Sequence, residues 1–467
     1  MKVLFVTGKL AERALRRTVE AMAPDFAYEV AVMKITVAAL LTPEWIAKFL
    51  EPPDGVDLIL IPGLCRGETA PLEEATGVRV EKGPPDLRHI PEYFGLADAR
   101  AEYGAHDIRI LAEINNAPGL PLDEILREAR RFQGDGADII DVGCTPGEEF
   151  PRLGEVVRAL TGEGMEVSID TFDPGEIRTA VDAGARWVLS VNDANLEVAK
   201  GLDATVVAIP DFGKGIESLE PTLERLGAWG TKYVVDPIIE PIGFGFAQSL
   251  GRYLDVRRRW PDVEMMMGIG NITELTSADS TGVNAVLIGF CQELGIRYVL
   301  TTEVIPWARG SVREIDVARR LMHYALNHAQ LPKHLDDRLV TVKDPEVLAY
   351  GEDELRALQK EITDPNFRIF TDREQIYVFN GERFVKGRAI QEIFDQLGVD
   401  EATHAFYLGK ELAKAKLALD LGKTYRQEGR LSWGYLTPPE DPIDEHVQLT
   451  QRSARAKRAR REREAPE

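Results

Sequence analysis

Eight apolar runs succeed one another through the middle of the chain: RILAEI (Arg109–Ile114), ADIIDVG (Ala137–Gly143), EVSIDT (Glu166–Thr171), RWVLSVN (Arg186–Asn192), TVVAIP (Thr205–Pro210), KYVVDP (Lys232–Pro237), EMMMGIG (Glu264–Gly270) and RYVLTTEV (Arg297–Val304). Each is near-continuously apolar, the signature of a parallel strand buried on both faces. Between them lie segments of helical period, among them LDEILREARRF, GEIRTAVDAG, SLEPTLERLGAW and NAVLIGFCQELG. Eight β/α units in about 220 residues match one closed (β/α)8 barrel, spanning residues 107–331. An open doubly wound sheet is the competing reading, and eight units without a long interruption argue against it.

Outward from the barrel, the composition changes on both sides. KVLFVTG, YEVAVMKI and VDLILIPG alternate with the helical stretches LAERALRRTVEAM and TPEWIAKFL. This predicts an N-terminal parallel α/β domain over residues 1–82, with three strands. TGK near Lys9 lacks the spacing of a phosphate-cradling loop. KGPPDLRHIPEYFG, with its prolines and no period, reads as a linker over 83–106. Beyond the barrel, FRIFTDREQIYVFNGERFVKG reads as a hairpin turning at Asn380-Gly381, and helices follow it. Residues 332–437 are expected to form an α+β domain, and the charged tail 438–467 to be disordered.

The chain has 467 residues, a net charge of -21, 44% hydrophobic and 28% charged residues. These values predict a soluble multidomain protein and disfavour nucleic acid or an anionic membrane as partner. Three scattered cysteines form no CxxC pair, which argues against a disulfide framework or zinc site and for a reducing cytoplasm. No segment approaches the roughly 18 apolar residues of a membrane span. The N-terminal apolar run is too short for a secretory signal.

A barrel of this kind carries its active site at the C-terminal ends of its strands. Polar residues gather there: Glu113, Asn115 and Asn116 after the first strand, Asp141 in the second, Asp170 in the third, and Asn192 and Asp193 after the fourth. Asp236 ends the sixth, Asn271 the seventh and Glu303 the eighth. Asp173 and Asp193 are expected to cap the helices that follow them. Asp141, Asp170 and Asp236 fall within or right after the strands, where an unsatisfied carboxylate is costly. Convergent aspartates and asparagines suit a flat ring that offers both N–H donors and acceptors, as the edge of a pteridine does.

The motifs AEINNAPG, ADIIDVGCTPG, VSIDT, VLSVND and VVDPIIEPIGFG, in that order, resemble those of the pterin-binding superfamily. That superfamily contains the dihydropteroate synthases and the corrinoid-linked methyltransferases. The whole-chain layout is similar to dihydropteroate synthase-like proteins of methanogens and methylotrophs. The resemblance implies a reduced pterin of tetrahydromethanopterin or folate type, held by Asp141, Asp170, Asn192, Asp236 and Asn271. It also implies Mg²⁺ near Asn115, and by analogy a homodimer.

The strand-end loops carry departures from the synthase pattern. A Ser-Arg-Lys run after strand seven and an Arg-x-His after strand eight are replaced here by GIGNITEL and TTEVIPW. Lys214, with Asn115, Asn116 and Glu303, is the candidate for the second-substrate or anion side. GIGN resembles the methyltransferase branch and places Asn271 where a carbonyl would support a protonated N5. Asn271 and Asp170 are therefore the catalytic candidates. Three readings stay open: condensation of a pterin methylene carbon with an arylamine, N5-methyl transfer to a corrinoid protein or thiol, and a non-catalytic pterin scaffold. The chain has no cobalamin-binding motif, so a corrinoid would come from a partner.

Overall fold

The computed structural model describes residues 1–9, 11–35, 38, 41–84, 87–95, 103–333 and 335–437, and the charged tail expected at 438–467 lies outside the described residues. The chain divides into two compact units, Met1–Tyr103 and Gly104–Glu467. In the first, strands β1 (Lys2–Gly8), β2 (Ala27–Met33), β3 (Leu58–Ile61) and β4 (Arg79–Lys82) form a parallel sheet in the order β2-β1-β3-β4. Alternating side chains pack both faces: Leu4, Val6, Ile59 and Ile61 on one, Val3, Phe5, Leu58 and Leu60 on the other. The sequence reading has three strands, and the structure adds β4. Its RVEK sequence is short and charged, and only Val80 is buried, which leaves no apolar run to read. The stretch read as a linker contributes a short helix, Ile90–Tyr93, whose Ile90 packs into the second face.

The second unit is built on the eight parallel strands expected: β5 (Arg109–Ile114), β6 (Ile139–Gly143), β7 (Glu166–Asp170), β8 (Trp187–Val191), β9 (Thr205–Ala208), β10 (Tyr233–Val235), β11 (Met266–Gly268) and β12 (Tyr298–Thr301). They pair in the order β10-β9-β8-β7-β6-β5-β12-β11, and a parallel bridge between Val235 and Met265 closes the ring. The two-residue alternation of a strand separates two cores. Leu111, Ile139, Leu189, Val207, Val234 and Met266 fill the barrel interior. Ile110, Ala112, Ile140, Val142, Val167, Ile169 and Val206 face the surrounding helices. Each such buried aliphatic chain contributes roughly 1.5–3 kcal/mol, so both faces of every strand demand apolar residues.

The floor of the barrel is polar and closed. Arg109 pairs with Glu166 at 2.7 Å, the Trp187 indole N–H donates to Glu166 at 2.5 Å, and the Trp187 and Tyr298 rings meet at 4.8 Å. Arg319, 2% exposed, donates to the Ile108 and Gly136 carbonyls and to Asp138 and Asp316. It thereby fastens the helix Ser311–Asn327 to the start of β5.

Toward the C-terminus, β13 (Arg368–Thr371), β14 (Ile376–Phe379) and β15 (Phe384–Gly387) form an antiparallel sheet. The predicted hairpin is thus three strands. Phe379 pairs with Phe384, so four residues form the loop rather than a two-residue Asn-Gly turn. The Asn380 side-chain carbonyl accepts from the backbone N–H groups of Glu382 and Arg383, closing this wider loop. Helices Ile390–Leu397 and Ala402–Leu421 cover one face of the sheet. Tyr435 returns to the barrel, where its hydroxyl donates to Glu314 at 2.8 Å. Among the described residues, no helix is long and apolar enough to cross a membrane.

Candidate active site at the strand ends

Strand alternation decides which polar residues enter the barrel mouth. Glu113 stands two positions beyond the inward Leu111, Asp141 two beyond Ile139, Asp236 two beyond Val234, and Thr302 two beyond Leu300. Glu113 and Asp141 are register partners, as are Asp141 and Ser168. One carboxylate oxygen from each of Glu113, Asp141 and Asp170 falls in a cluster spanning no more than 4.8 Å. Ser168 donates its hydroxyl to Asp141 Oδ1, and Asn115 donates its amide to Glu113 Oε1 at 2.8 Å. Gly143 makes room for this arrangement: a Cβ there would lie 2.5 Å from Glu113 Oε1.

Burial raises the proton affinity of all three carboxyls. Glu113 is pushed up to about 8 by burial, then by the charges of Asp170 and Glu274. Asp141, fully buried, is raised well above the carboxylate range by burial and then by Asp170 and Glu113. Asp170 is raised by burial, against the hydrogen bond it receives from Ser190. Glu274, after β11, is also raised by burial. Like charges this close cannot all persist without a compensating proton or cation.

The rest of the mouth depends on local backbone strain. Ser190 adopts φ 67°, and between Val188 and Val191 the pairing with β9 shifts register. Simple alternation from Leu189 would turn Val191 inward and Asn192 outward. The irregularity resets it: Val191 packs in the outer core and Asn192 turns into the mouth, 1% exposed. Asn195 locks this turn by accepting from the Asn192 N–H and donating to the Ser190 carbonyl. Ile238, a β-branched residue at φ 64°, forms the second strained turn, and its N–H donates to Asp236 Oδ1 at 2.8 Å. Asn116, at φ 52°, is the third at a strand end. Such conformations cost of order 1–3 kcal/mol each and cluster at functional sites.

Asp236 also accepts from the buried Tyr253 hydroxyl at 2.6 Å. Burial pushes its carboxyl up to about 6, against the bonds from Tyr253, Ile238 and Gly268. Arg252 donates to the carbonyls of Pro237 and Ile238, fixing the loop from behind.

The structure therefore brings Asp141 and Asp170 into one cluster, with Asn115 beside it and Asn192 and Asp236 elsewhere in the mouth. Asn271 is exposed and donates its amide to the Ile239 carbonyl at 3.1 Å. It does not cap a helix. Asn116 is exposed, with the Thr145 hydroxyl at 3.5 Å. Two candidates for the anion side are engaged elsewhere. Glu303, its side chain 1% exposed, pairs with Arg131 at 2.8 Å and accepts from the Val312 N–H. Lys214 projects into solvent and pairs with Asp211 at 2.9 Å. Asp173 caps its helix as expected, whereas Asp193 is exposed and lies 3.6 Å from Arg225.

Sequence reasoning placed Glu113 among the polar strand-end residues without giving it a role, and did not assign Ser168, Ser190, Asn195, Tyr253, Glu274 or Thr302 to the site. Counting inward positions by twos from Leu300 would have found Thr302. Around the mouth the loops expose Phe172, Phe212, Ile242, Phe244, Leu275, Val304 and Trp307, and the Phe172 and Phe212 rings lie 5.6 Å apart.

Comparisons with known proteins agree with this architecture. The family described as pterin binding enzyme matches residues 117–211. A family of unknown function (DUF6513) matches residues 1–85, and the family PterinBD-DUF4346 matches residues 359–428. The chain belongs to the dihydropteroate synthase-like pterin-binding superfamily. An uncharacterized protein of Methanocaldococcus jannaschii is 30% identical to it, covering 92% of this chain and 98% of that protein. Dihydropteroate synthase type-3 of Escherichia coli is 35% identical over 65 residues, 12% of this chain and 25% of that enzyme. Among solved structures, Yersinia pestis dihydropteroate synthase with a pterine-sulfa conjugate is 18% identical, with TM-score 0.40, over 47% of this chain and 95% of that one.

Proposed function

We propose that the chain is a pterin-dependent transferase of one-carbon metabolism that joins the methylene carbon of a reduced pterin to an arylamine, in tetrahydromethanopterin or folate biosynthesis. The observation that carries the pterin reading is the set of buried polar groups turned into one mouth. Asp236 in its ionised form accepts N–H bonds from the aminopyrimidine edge. Asn192 has an amide N–H₂ with no hydrogen bond among the described residues, because only its carbonyl is used, by the Ala194 N–H. Asp170 completes the ring contacts. Strain at Ser190 and Ile238 preorganises Asn192 and Asp236, so little ordering is left for the ligand to do.

In the condensation, the arylamine nitrogen attacks the methylene carbon, the C–N bond forms, and the C–O bond to diphosphate breaks. Diphosphate leaves with the electron pair, and the amine proton passes to solvent or to a mouth carboxylate. The exposed Phe172 and Phe212 rings offer an aromatic face for the arylamine. Mg²⁺ beside Asn115 would supply charge neutralisation; that amide is committed to Glu113 through its nitrogen, and its carbonyl stays available.

A second reading, N5-methyl transfer to a corrinoid protein or thiol, is favoured by Asn271. Its nitrogen is engaged with Ile239, so its carbonyl oxygen remains to accept a hydrogen bond from a protonated N5. Incubation with hydroxymethyl-dihydropterin diphosphate and an arylamine should release diphosphate. A methylcorrinoid spectrum from methyl-pterin and reduced corrinoid, without diphosphate release, would select the second reading. Failure to bind any reduced pterin would overturn both.

A further inference from the structure

We infer that Glu113, Asp141 and Asp170 form a divalent-cation site in the barrel mouth, taking a hard ion of the Mg²⁺ or Mn²⁺ class. Three adjacent strands supply one carboxylate each, with oxygens within 4.8 Å of one another. Each carboxylate is held by its own donor: Glu113 by the Asn115 amide, Asp141 by the Ser168 hydroxyl, Asp170 by Ser190. Ligating carboxylates are commonly oriented in this way by supporting hydrogen bonds.

Two further observations point to a missing partner. Asp141 is fully buried, yet its Oδ2 has no hydrogen-bond partner among the described residues. Buried polar atoms in native proteins nearly always have one. Thr302, 6% exposed and immediately after the end of β12, also has a hydroxyl with no hydrogen-bond partner among the described residues. Thr301 pairs with Ala112, which sets Thr302 beside Glu113 in register.

Among the described residues, no basic side chain serves this charge. The acidic neighbours of the trio are one another and Glu274. Arg131 is taken by Glu128 and Glu303, and Arg252 by the carbonyls of Pro237 and Ile238. An all-oxygen donor set selects a hard ion over zinc or copper. At Mg–O distances of about 2.0–2.1 Å, adjacent ligand oxygens sit about 2.9 Å apart and opposite ones about 4.2 Å, so the trio needs to close by up to about 2 Å. Mg²⁺ typically keeps open positions for water and substrate phosphates. The ion would stand in for the Ser-Arg-Lys and Arg-x-His runs that the synthase pattern has after strands seven and eight and that this chain replaces. That role rests on the condensation reading, whereas the site itself does not.

The test uses the full chain, stripped with chelator and titrated with Mn²⁺ at pH 8 under electron paramagnetic resonance, with Mg²⁺ as competitor. One Mn²⁺ per chain is expected, displaced by Mg²⁺. Asp141→Asn and Glu113→Gln should each weaken it by more than the roughly tenfold to hundredfold lost with a supporting partner. Asp236→Asn should keep the ion while losing pterin. Thermal melts of the metal-free variants establish folding, and if Asp141→Asn does not fold, Glu113→Gln carries the comparison. No Mn²⁺ bound at millimolar concentration, or undiminished binding in the folded variants, would overturn the site. Intact pterin binding beside absent Mn²⁺ would leave the pterin reading standing; a retained ion without pterin binding would do the reverse.

Discussion

Tyr253→Phe removes one oxygen from a fully buried side chain and tests how Asp236 is tuned. The Tyr253 hydroxyl donates to Asp236 Oδ1 at 2.6 Å, and burial already holds that carboxyl at about 6. A hydrogen bond to a charged group contributes roughly 1.5–3 kcal/mol. At 1.36 kcal/mol per pH unit, its loss should raise the Asp236 midpoint by about one to two units, to about 7–8. Pterin binding needs the ionised form, so affinity should fall about tenfold per pH unit below the midpoint. Titrating a fluorescent reduced pterin between pH 5 and 9 would follow this. The wild type should lose affinity below about 6, and the variant below about 7–8. A pH-independent wild type, or an unmoved midpoint in a folded variant, would refute the reasoning. Stability has a linked sign. The folded-state value is raised above the unfolded 3.8, so the folded chain binds this proton more tightly. The contribution of Asp236 to stability is therefore greatest at low pH, falls as pH rises from about 4 to about 6, and stays level above that.

Gly143→Ala should push the Glu113 carboxylate from its place, because the new Cβ would meet it at 2.5 Å. Turnover should drop at least about tenfold with pterin affinity changed far less, read as kcat against Kd. Asn271→Ala separates the two reactions: methyl transfer should fall by about 10²-fold or more, and condensation only modestly, measured by product formation under each substrate pair. Tyr435→Phe removes the donor to Glu314 that ties the C-terminal segment to the barrel. It should cost about 1–2 kcal/mol in chemical denaturation without changing pterin affinity.

The barrel was legible because parallel strands buried on both faces leave continuous apolar runs, and all eight lie where the runs placed them. The fourth strand of the N-terminal sheet was not, since RVEK buries only one residue well. The internal strands of the C-terminal sheet were blurred by the charged DREQ turn between them. At the site, Asp141, Asp170 and Asp236 stood out because a carboxylate at the end of an apolar run is expensive. Glu303 looked equivalent, but its partner Arg131 lies 172 residues away, across the closure of the barrel. Tyr253 and Ser168 escaped notice because their partners, Asp236 and Asp141, are set by helix packing and strand register rather than by any local pattern. Asn192 enters the mouth only because Ser190 breaks the alternation of β8, which no two-residue period predicts.

The central claim, a reduced pterin held at this mouth, is tested most directly by calorimetric titration of hydroxymethyl-dihydropterin into the full chain. Wild type should bind one pterin per chain at pH 7.5, and Asp236→Asn and Asn192→Ala should each weaken it about tenfold or more while remaining folded. Equal affinity in wild type and both folded variants, or no binding by wild type, would contradict it.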